Sequence, residues 1–209
     1  MQSYRTVAAP AQAQFIERRS RFIGYITPVC TEEEALAFIA QKREQHWDAS
    51  HNVFAYLLRQ GNLCRFSDDG EPSGTAGKPV LDVISGRGLT DVAVVVTRYF
   101  GGVLLGTGGL TRAYGQGARA AVEAAQLLEM HPCTRLRVEC DYSFYGKLSH
   151  LLPRFLVQTA ASNFGEAVVL ELLCRDSLLP GFAKELEEQS SGRVVPQSLG
   201  SLYSPVELD

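Results

Sequence analysis

Hydrophobic and polar residues alternate differently in the two parts of this chain. In the first part, the alternation over Tyr4–Ala9, Gln12–Arg18 and Arg21–Val29 predicts three strands of a meander. Both faces of Val53–Leu58 and of Val92–Val96 are apolar, which is typical of strands covered on both sides. We therefore expect these two runs to form the buried strands of a sheet.

Three segments of the first part have helical signals. Thr31-Glu-Glu-Glu34 is a capping box followed by an apolar face, and Lys78-Pro79 opens a short helix that reaches Ser85. A longer helix is predicted from Gly108 to Met130, because apolar or small residues recur there every three or four positions. These residues are Leu110, Tyr114, Gly117, Ala121, Ala125 and Leu128.

The second part begins after His131-Pro132-Cys133, where a proline follows the long helical pattern and cannot continue it. We therefore predict an N-terminal domain over residues 1–132 and a C-terminal domain over residues 133–209. Thr134–Tyr142 alternates apolar and charged residues, as in a strand with one solvated face. The elements predicted after it are a helix over Ser143–Leu152, strands over Val157–Asn163 and Ala167–Arg175, a helix capped by Asp176 and a strand over Val194–Leu202. The order βαββαβ is that of a ferredoxin-like sandwich, so the predicted fold class is α+β with two domains.

Composition limits the class of protein. The 209 residues are 45% hydrophobic and 21% charged, which is ordinary globular usage and excludes a disordered chain. The net charge of −3 argues against binding of nucleic acid through bulk charge but permits a local basic patch. No apolar run is long enough for a membrane span, there is no signal peptide, and the five cysteines include no Cys-x-x-Cys pair. We expect a soluble cytoplasmic protein with reduced thiols and no membrane partner.

Two glycine-rich segments are similar to nucleotide-binding motifs but do not match them. Gly74–Pro79 has proline where a phosphate loop needs Ser or Thr after the lysine, and Pro72 occupies the position of its first glycine. Gly115–Ala120 matches the dinucleotide fingerprint but lies inside the predicted long helix, so helix packing explains it better. No nucleotide cofactor is expected.

Asp68, Asp69 and Glu71 place three carboxylates within four residues. Such a group could hold Mg²⁺ or act as general acid and base, but Gly70 and Pro72 are turn residues, so we favour a structural turn. Histidines 46, 51, 131 and 150 do not have the spacing of a metal site. His51 beside a buried strand is interpreted as structural, and with Asp68, Asp69 and Glu71 it forms a secondary candidate site. We expect no metal centre and no catalytic residue.

The strongest local signal is the segment Val94–Leu110. A buried strand delivers Arg98 and Tyr99 to its end, and a glycine-rich turn then opens the next helix. Such a helix start exposes backbone N–H groups and the positive end of the helix dipole, which favours anions. The alternative is that the glycines only allow close packing. The candidate nucleic-acid or anion-binding residues are Lys78, Arg98, Tyr99, Gly101, Gly102, Gly106, Thr107, Gly108, Gly109 and Arg112.

Two segments closely resemble the YigZ/IMPACT family of bacterial proteins and eukaryotic translational regulators. They are FSDDGEPSGTAGKPVL over Phe66–Leu81 and VVVTRYFGGVLLGTGGLTRAYG over Val94–Gly115. His51 and Tyr56 also fit the family pattern, and the resemblance covers most of residues 15–130.

The resemblance implies a fold and a class of partner. The first domain of the family resembles a ribosomal small-subunit protein and domain IV of elongation factor G, and the second resembles the ferredoxin-like domain V of that factor. RNA or ribosome binding is inferred for the family on this basis, with no established catalytic residues. The eukaryotic members bind a large activator protein and so restrain the kinase that senses amino-acid starvation. They carry an extra N-terminal domain that this sequence lacks, so no protein partner is assigned.

Two functions from different classes stay open. The first is a non-enzymatic RNA- or ribosome-associated protein with a role in the regulation of translation. The alternative is a phosphate-ligand-binding enzyme of the small-metabolite kinase type, because those kinases resemble the same first-domain fold and bind ATP phosphates at a glycine-rich helix start. The segment Gly106–Arg112 lacks the serines of the kinase loop.

Overall fold

The computed structural model describes residues 2–207, so the outermost ends of the two predicted domains, residues 1 and 208–209, lie outside the described part. Sheets and helices alternate in it, and the mixed α+β class is confirmed. The chain divides into a first unit, Tyr4–Glu129, and a second unit, Met130–Val206. Among the described residues, no helix is long and apolar enough to cross a membrane.

The elements of the first unit are six strands and three helices within the described range. They are β1 (Tyr4–Val7), β2 (Ala11–Glu17), β3 (Ser20–Pro28), α1 (Glu32–Gln45), β4 (His51–Leu58), β5 (Leu63–Ser67), α2 (Gly77–Gly86), β6 (Val92–Tyr99) and α3 (Thr107–Glu123). The Thr31 half of the capping box is confirmed, because the Thr31 hydroxyl accepts the Glu34 N–H at 3.2 Å, while the Glu34 carboxylate accepts the Cys30 N–H at 2.6 Å instead of that of Thr31.

An antiparallel sheet in the order β2-β3-β6-β4-β5 forms the centre of the first unit. Helices α2 and α3 pack on one face, where Phe22, Val94 and Tyr114 share a core. Helix α1 packs on the other face, against Tyr25 and Val95. Because helices cover both faces, the apolar run of β6 is buried on both sides, as its sequence predicts.

Helix α3 lies very close to the sheet. A Cβ added at Gly24 of β3 would stand 2.1 Å from the Gly117 carbonyl oxygen, and one at Gly117 would stand 2.8 Å from Cγ1 of Val96. These glycines allow the helix to reach the strands, so the dinucleotide-like segment serves helix–sheet packing.

Two predictions about the first part are wrong. Helix α3 ends at Glu123 instead of continuing to Met130 and is followed by strand β7 (Leu127–Cys140), and β1 does not belong to the sheet that contains β2 and β3. Pro132 is inside β7, so it does not end a helix. Proline has no N–H to donate to a neighbouring strand, but the Pro132 carbonyl accepts the Asp176 N–H at 3.0 Å.

The second unit has the predicted order βαββαβ. Its elements are β7, α4 (Tyr142–Arg154), β8 (Gln158–Phe164), β9 (Val168–Arg175), α5 (Leu179–Ser190) and β10 (Gln197–Glu207). The strands neighbour each other in the order β10-β7-β9-β8, and both helices cover one face of this sheet. In β7, Leu136 and Val138 are buried while Arg135 and Arg137 are exposed, as the alternation predicts.

Asp176 does not cap the last helix, contrary to the sequence prediction. Helix α5 begins at Leu179, and the Asp176 carboxylate instead accepts the Thr134 hydroxyl at 2.8 Å. Tyr142, assigned from its alternation to the end of a strand, is the first residue of α4.

Candidate nucleic-acid interface

The acidic loop before α2 is held together by its own carboxylates. Asp68 accepts N–H groups of Gly74 at 2.8 Å, Ala76 at 3.0 Å and Gly77 at 2.8 Å. Burial alone would raise the pKa of Asp68, but the three donors outweigh it and lower the pKa below its usual value. Asp68 therefore positions the first turn of α2.

Asp69 joins the same loop to β4 and α1. Its carboxylate accepts the Asn52 N–H and the Arg43 guanidinium, both at 2.6 Å. Its carbonyl oxygen lies 2.8 Å from Nδ1 of His51, which fixes that imidazole against the loop.

Glu71 and Arg98 form a buried ion pair. Nη1 of Arg98 lies 2.6 Å from Oε1 of Glu71, and the two side chains are only 6% and 4% exposed. The Tyr114 hydroxyl donates to the same carboxylate oxygen at 2.7 Å, and burial together with Glu71 strongly raises the pKa of Tyr114. Nε2 of His51 lies 3.7 Å from Glu71. Since Arg98 is enclosed and neutralised, it does not present a free cation to a phosphate.

The three carboxylates thus contact different partners and do not converge on one point. Within residues 2–207, no group of His, Cys, Asp and Glu side chains has the arrangement of a metal site. This geometry supports the structural interpretation of Asp68, Asp69 and Glu71, with His51 as part of the same framework.

The glycine turn after β6 wraps around the β2–β3 turn. A Cβ at Gly101 would stand 2.1 Å from the Arg19 carbonyl, and the Gly101 N–H donates to the Ser20 hydroxyl at 3.2 Å. Gly102 and Gly106 have φ of +81° and +71°, in the left-handed region that favours glycine. These residues allow the chain to turn sharply into α3.

The first turn of α3 is open to solvent. Gly106 precedes the helix and has no side chain to cap it, so no side chain bonds the first N–H groups. Thr107 and Gly108 are exposed, and the only neighbour of a Cβ added at Gly108 would be Nη1 of Arg112, at 3.8 Å. The uncapped amides and an arginine therefore lie together.

Further arginines lie beside this turn and along α3. Arg18 and Arg112 line a cavity of about 140 Å³ that includes Gly109. Arg112 and Arg119 line a groove of about 450 Å³ between α2 and α3, with Arg87 on the α2 side. In the described part of the chain, the side chains of Arg18, Arg112 and Arg119 form no ion pair and no hydrogen bond. We name Arg18, Arg112, Arg119 and Gly106–Gly109 the α3 basic surface.

The remaining candidates lie elsewhere. Lys78 opens α2 and pairs with Asp82 one turn later. The Tyr99 hydroxyl lies 2.9 Å from Nδ1 of His46 and donates to Asp48 at 3.0 Å. Sequence reasoning assigned Arg112 to the site but missed Arg18, although Arg18 and Arg19, where one predicted strand ends before the next begins, were a signal of an exposed basic turn.

The comparisons with known proteins agree over most of the chain. The model of the Impact N-terminal domain matches residues 18–122, and that of a domain of unknown function (DUF1949) matches residues 138–193. The IMPACT family member YvyE of Bacillus subtilis is 35% identical, covering 92% of this chain and 89% of that protein. The IMPACT family member YigZ of Escherichia coli is 34% identical, covering 92% and 96%.

A mammalian relative and a solved structure extend this similarity. Protein IMPACT of Mus musculus is 35% identical over 43% of this chain and 30% of its own length. A solved structure, described as a crystal structure of a hypothetical protein, is 32% identical, covers 96% of this chain and 98% of its own, and superposes with a TM-score of 0.61. The chain belongs to the IMPACT family.

Proposed function

We propose that this protein binds RNA, including RNA of the ribosome, through the α3 basic surface and acts in the regulation of translation without catalysing a reaction. The observation that carries the proposal is the set of arginine side chains without partners beside the uncapped start of α3 and along that helix. Unpaired guanidinium groups keep their full attraction for anions, whereas paired ones must first give up a carboxylate.

Phosphate is the anion that this geometry suits. Backbone N–H groups at a helix start and the helix dipole favour a phosphate oxygen, and arginine can bind two of its oxygens at once. Arg112 and Arg119 are seven residues apart on α3, which places their backbones about 10 Å apart along the helix axis. Several phosphates of one chain can therefore contact the surface, which favours a polynucleotide.

The translational role is supported by family membership. Relatives include the eukaryotic proteins named IMPACT, and the resemblance to translational regulators rests on the segments around α2 and α3. In the second unit, the order βαββαβ and the strand order β10-β7-β9-β8 support our proposal of a ferredoxin-like fold like that of domain V in elongation factor G.

The groove between α2 and α3 favours one second candidate. Its volume of about 450 Å³ and its arginines suit a small phosphorylated molecule, as in an enzyme of the small-metabolite kinase type. That function requires ATP to bind the groove and to be consumed, whereas the RNA function requires neither.

The proposal is tested with a fluorescently labelled short RNA and by sedimentation with ribosomes at low and high salt. The double variant Arg112→Ala/Arg119→Ala should weaken RNA binding at least about tenfold. The slope of log affinity against log salt should fall by roughly 0.7 for each lost phosphate contact on a single strand. The control Arg135→Ala/Arg137→Ala removes the same charge from the exposed face of β7 and should have little effect.

Two results would contradict the proposal. One is equal weakening by both double variants, which would indicate nonspecific charge. The other is ATP turnover that Arg112→Ala/Arg119→Ala abolishes in folded protein without RNA binding, which would establish the small-ligand enzyme instead.

A further inference from the structure

A row of exposed side chains crosses one end of the sheet in the first unit. The strand register places Ile16 of β2 opposite Arg21 of β3, and Arg21 opposite Tyr99 of β6. The Arg21 guanidinium lies 4.4 Å from the centre of the Tyr99 ring, and Ile16 is 71% exposed. This end of the sheet therefore carries an arginine stacked on an aromatic ring.

The loop after α1 adds a tryptophan to this row. The His46 ring packs edge-on against Tyr99, with ring centres 5.9 Å apart, and the next residue, Trp47, is 83% exposed. The Ser50 N–H donates to the Arg98 carbonyl at 2.9 Å, which fastens the loop to the end of β6. Trp47 is thus held beside the row without being part of the core.

Phe100 follows Tyr99 at the end of β6, but its ring lies beside Arg98, on the face of the sheet that α2 and α3 cover. Its N–H donates to the Ser50 hydroxyl at 3.2 Å, its ring is 49% exposed, and the Arg98 guanidinium lies 5.4 Å from its centre. The next residue, Gly101, packs on the β2–β3 turn beside Arg18 and Arg19. We name Arg21, Trp47, Tyr99 and Phe100 the aromatic end, and it meets the α3 basic surface at this turn.

Two properties identify what the aromatic end can bind. Exposed aromatic rings and a stacked arginine present flat faces that suit nucleic-acid bases. Arg18 and Arg19 form neither ion pairs nor hydrogen bonds through their side chains in the described residues, so the neighbouring charge attracts an anionic chain. Bases of a duplex are stacked on each other, whereas those of a single strand can leave the stack and bind a protein ring.

We propose that the aromatic end stacks bases of single-stranded RNA whose phosphates contact the α3 basic surface. This inference rests on the proposed function and deepens it, because it assigns single strands as the substrate class. The path around the sheet end lets one strand place phosphates on the arginines and bases on Phe100, on Trp47 and on the Arg21 guanidinium that stacks on Tyr99.

Trp47 is the only tryptophan of the chain, so its fluorescence reports on this surface alone. Titration with a short single-stranded RNA should quench its emission, and a duplex of the same length should not. By labelled-RNA anisotropy, Trp47→Ala should weaken single-strand binding at least about fivefold, the lower range for loss of one base–aromatic stack. Trp47→Phe, which keeps an aromatic face, should restore most of the affinity.

The control is Phe164→Ala, which removes from the second unit an aromatic ring that is 53% exposed, against 83% for Trp47. If neither single strand nor duplex binds the wild type, the proposed function itself fails. If Arg112→Ala weakens both RNA forms while Trp47→Ala changes neither, RNA binding stands and the aromatic end takes no part in it, which overturns this inference. Circular dichroism of each variant confirms that the fold is retained.

Discussion

The two segments with the strongest family resemblance, 66–81 and 94–115, use charge in opposite ways. In the first, Asp68, Asp69 and Glu71 all bind groups of the same protein. In the second, the backbone N–H groups at the start of α3 and the Arg112 guanidinium contact no such partner in the described residues. A motif rich in charged residues and glycine can therefore stabilise the fold or form a binding surface. Whether its charges are paired within the protein distinguishes the two roles.

Arg98 shows that this division does not follow the chain. It belongs to the second segment, yet its guanidinium completes the carboxylate network of the first and leaves Nε buried without a hydrogen-bond partner among the described residues. A buried guanidinium keeps its charge and loses its hydration, so a neighbouring anion is needed to offset that loss. Arg98 and Glu71 therefore hold the two segments together. Substitution of this pair is the strongest test of the structural role of the carboxylates.

The largest effect is expected from Glu71→Ala. Removal of the carboxylate leaves the Arg98 charge buried without its partner, which should lower the free energy of unfolding by about 3–5 kcal/mol. Urea denaturation followed by circular dichroism measures this loss. The double variant Glu71→Leu/Arg98→Met removes both charges and should recover much of the stability. A loss below about 1 kcal/mol in Glu71→Ala would show that the pair contributes no more than a surface contact.

A smaller loss is expected from Asp68→Ala, because three N–H groups lose an ionised acceptor but regain water in part. The free energy of unfolding should fall by about 1–3 kcal/mol.

The same carboxylate should make stability depend on pH. Since the pKa of Asp68 is lower in the folded than in the unfolded protein, its stabilisation is complete above the unfolded pKa and is lost as pH falls through the folded pKa. Acid below about pH 4 should thus destabilise the wild type more steeply than Asp68→Asn. Equal acid profiles in urea denaturation would contradict this.

Sequence patterns predicted most elements of both units because local signals agreed with burial. The capping box at Thr31 and the doubly apolar strand β6 are examples. The end of α3 was missed because Leu127 and Leu128 fit a helical stripe and a strand equally well. Proline then suggested a helix stop, although a strand position that needs no N–H donor also tolerates it.

The candidate site was less accessible from sequence, for a different reason. Arg98 and Glu71 are 27 residues apart, and only the folded chain shows that they neutralise each other. Arg18 comes from a turn that the fold brings to α3. Local spacing indicates which residues share a helix face, but it does not show which charges remain unpaired.

A substitution at Gly108 separates stability from binding. Gly108 is exposed near the start of α3, with open space except for Arg112. In Gly108→Asp, loss of a helical glycine should add about 0.5–1 kcal/mol of stability, and a carboxylate near the helix start adds about 0.3–1 kcal/mol. The same carboxylate repels phosphate and pairs with Arg112, so RNA affinity should fall about tenfold.

The matched control is Gly146→Asp, which adds one negative charge at an exposed glycine of α4 with no neighbour within 4 Å. Its RNA affinity should stay close to that of the wild type. Anisotropy titrations and thermal unfolding measure the two properties separately. If the Gly108→Asp protein is stabilised and still binds RNA as tightly as the wild type, the start of α3 has a structural role and is not part of the RNA-binding surface.

The smallest effect on RNA binding is expected from Asp82→Ala, which should raise the affinity instead of lowering it. Asp82 lines the groove with Arg112 and Arg119 and pairs with Lys78, so its carboxylate both repels a phosphate chain and occupies a nearby cation. Its removal should raise RNA affinity about twofold to threefold at low salt, while loss of an exposed helical pair costs only about 0.3–0.5 kcal/mol of stability.

The matched control is Glu188→Ala, which breaks the similar Lys184–Glu188 pair in the second unit and changes the net charge by the same amount. Because Glu188 does not line the groove, this variant should leave RNA affinity unchanged. Equal gains in both variants would mean that net charge, rather than the α3 basic surface, attracts the RNA.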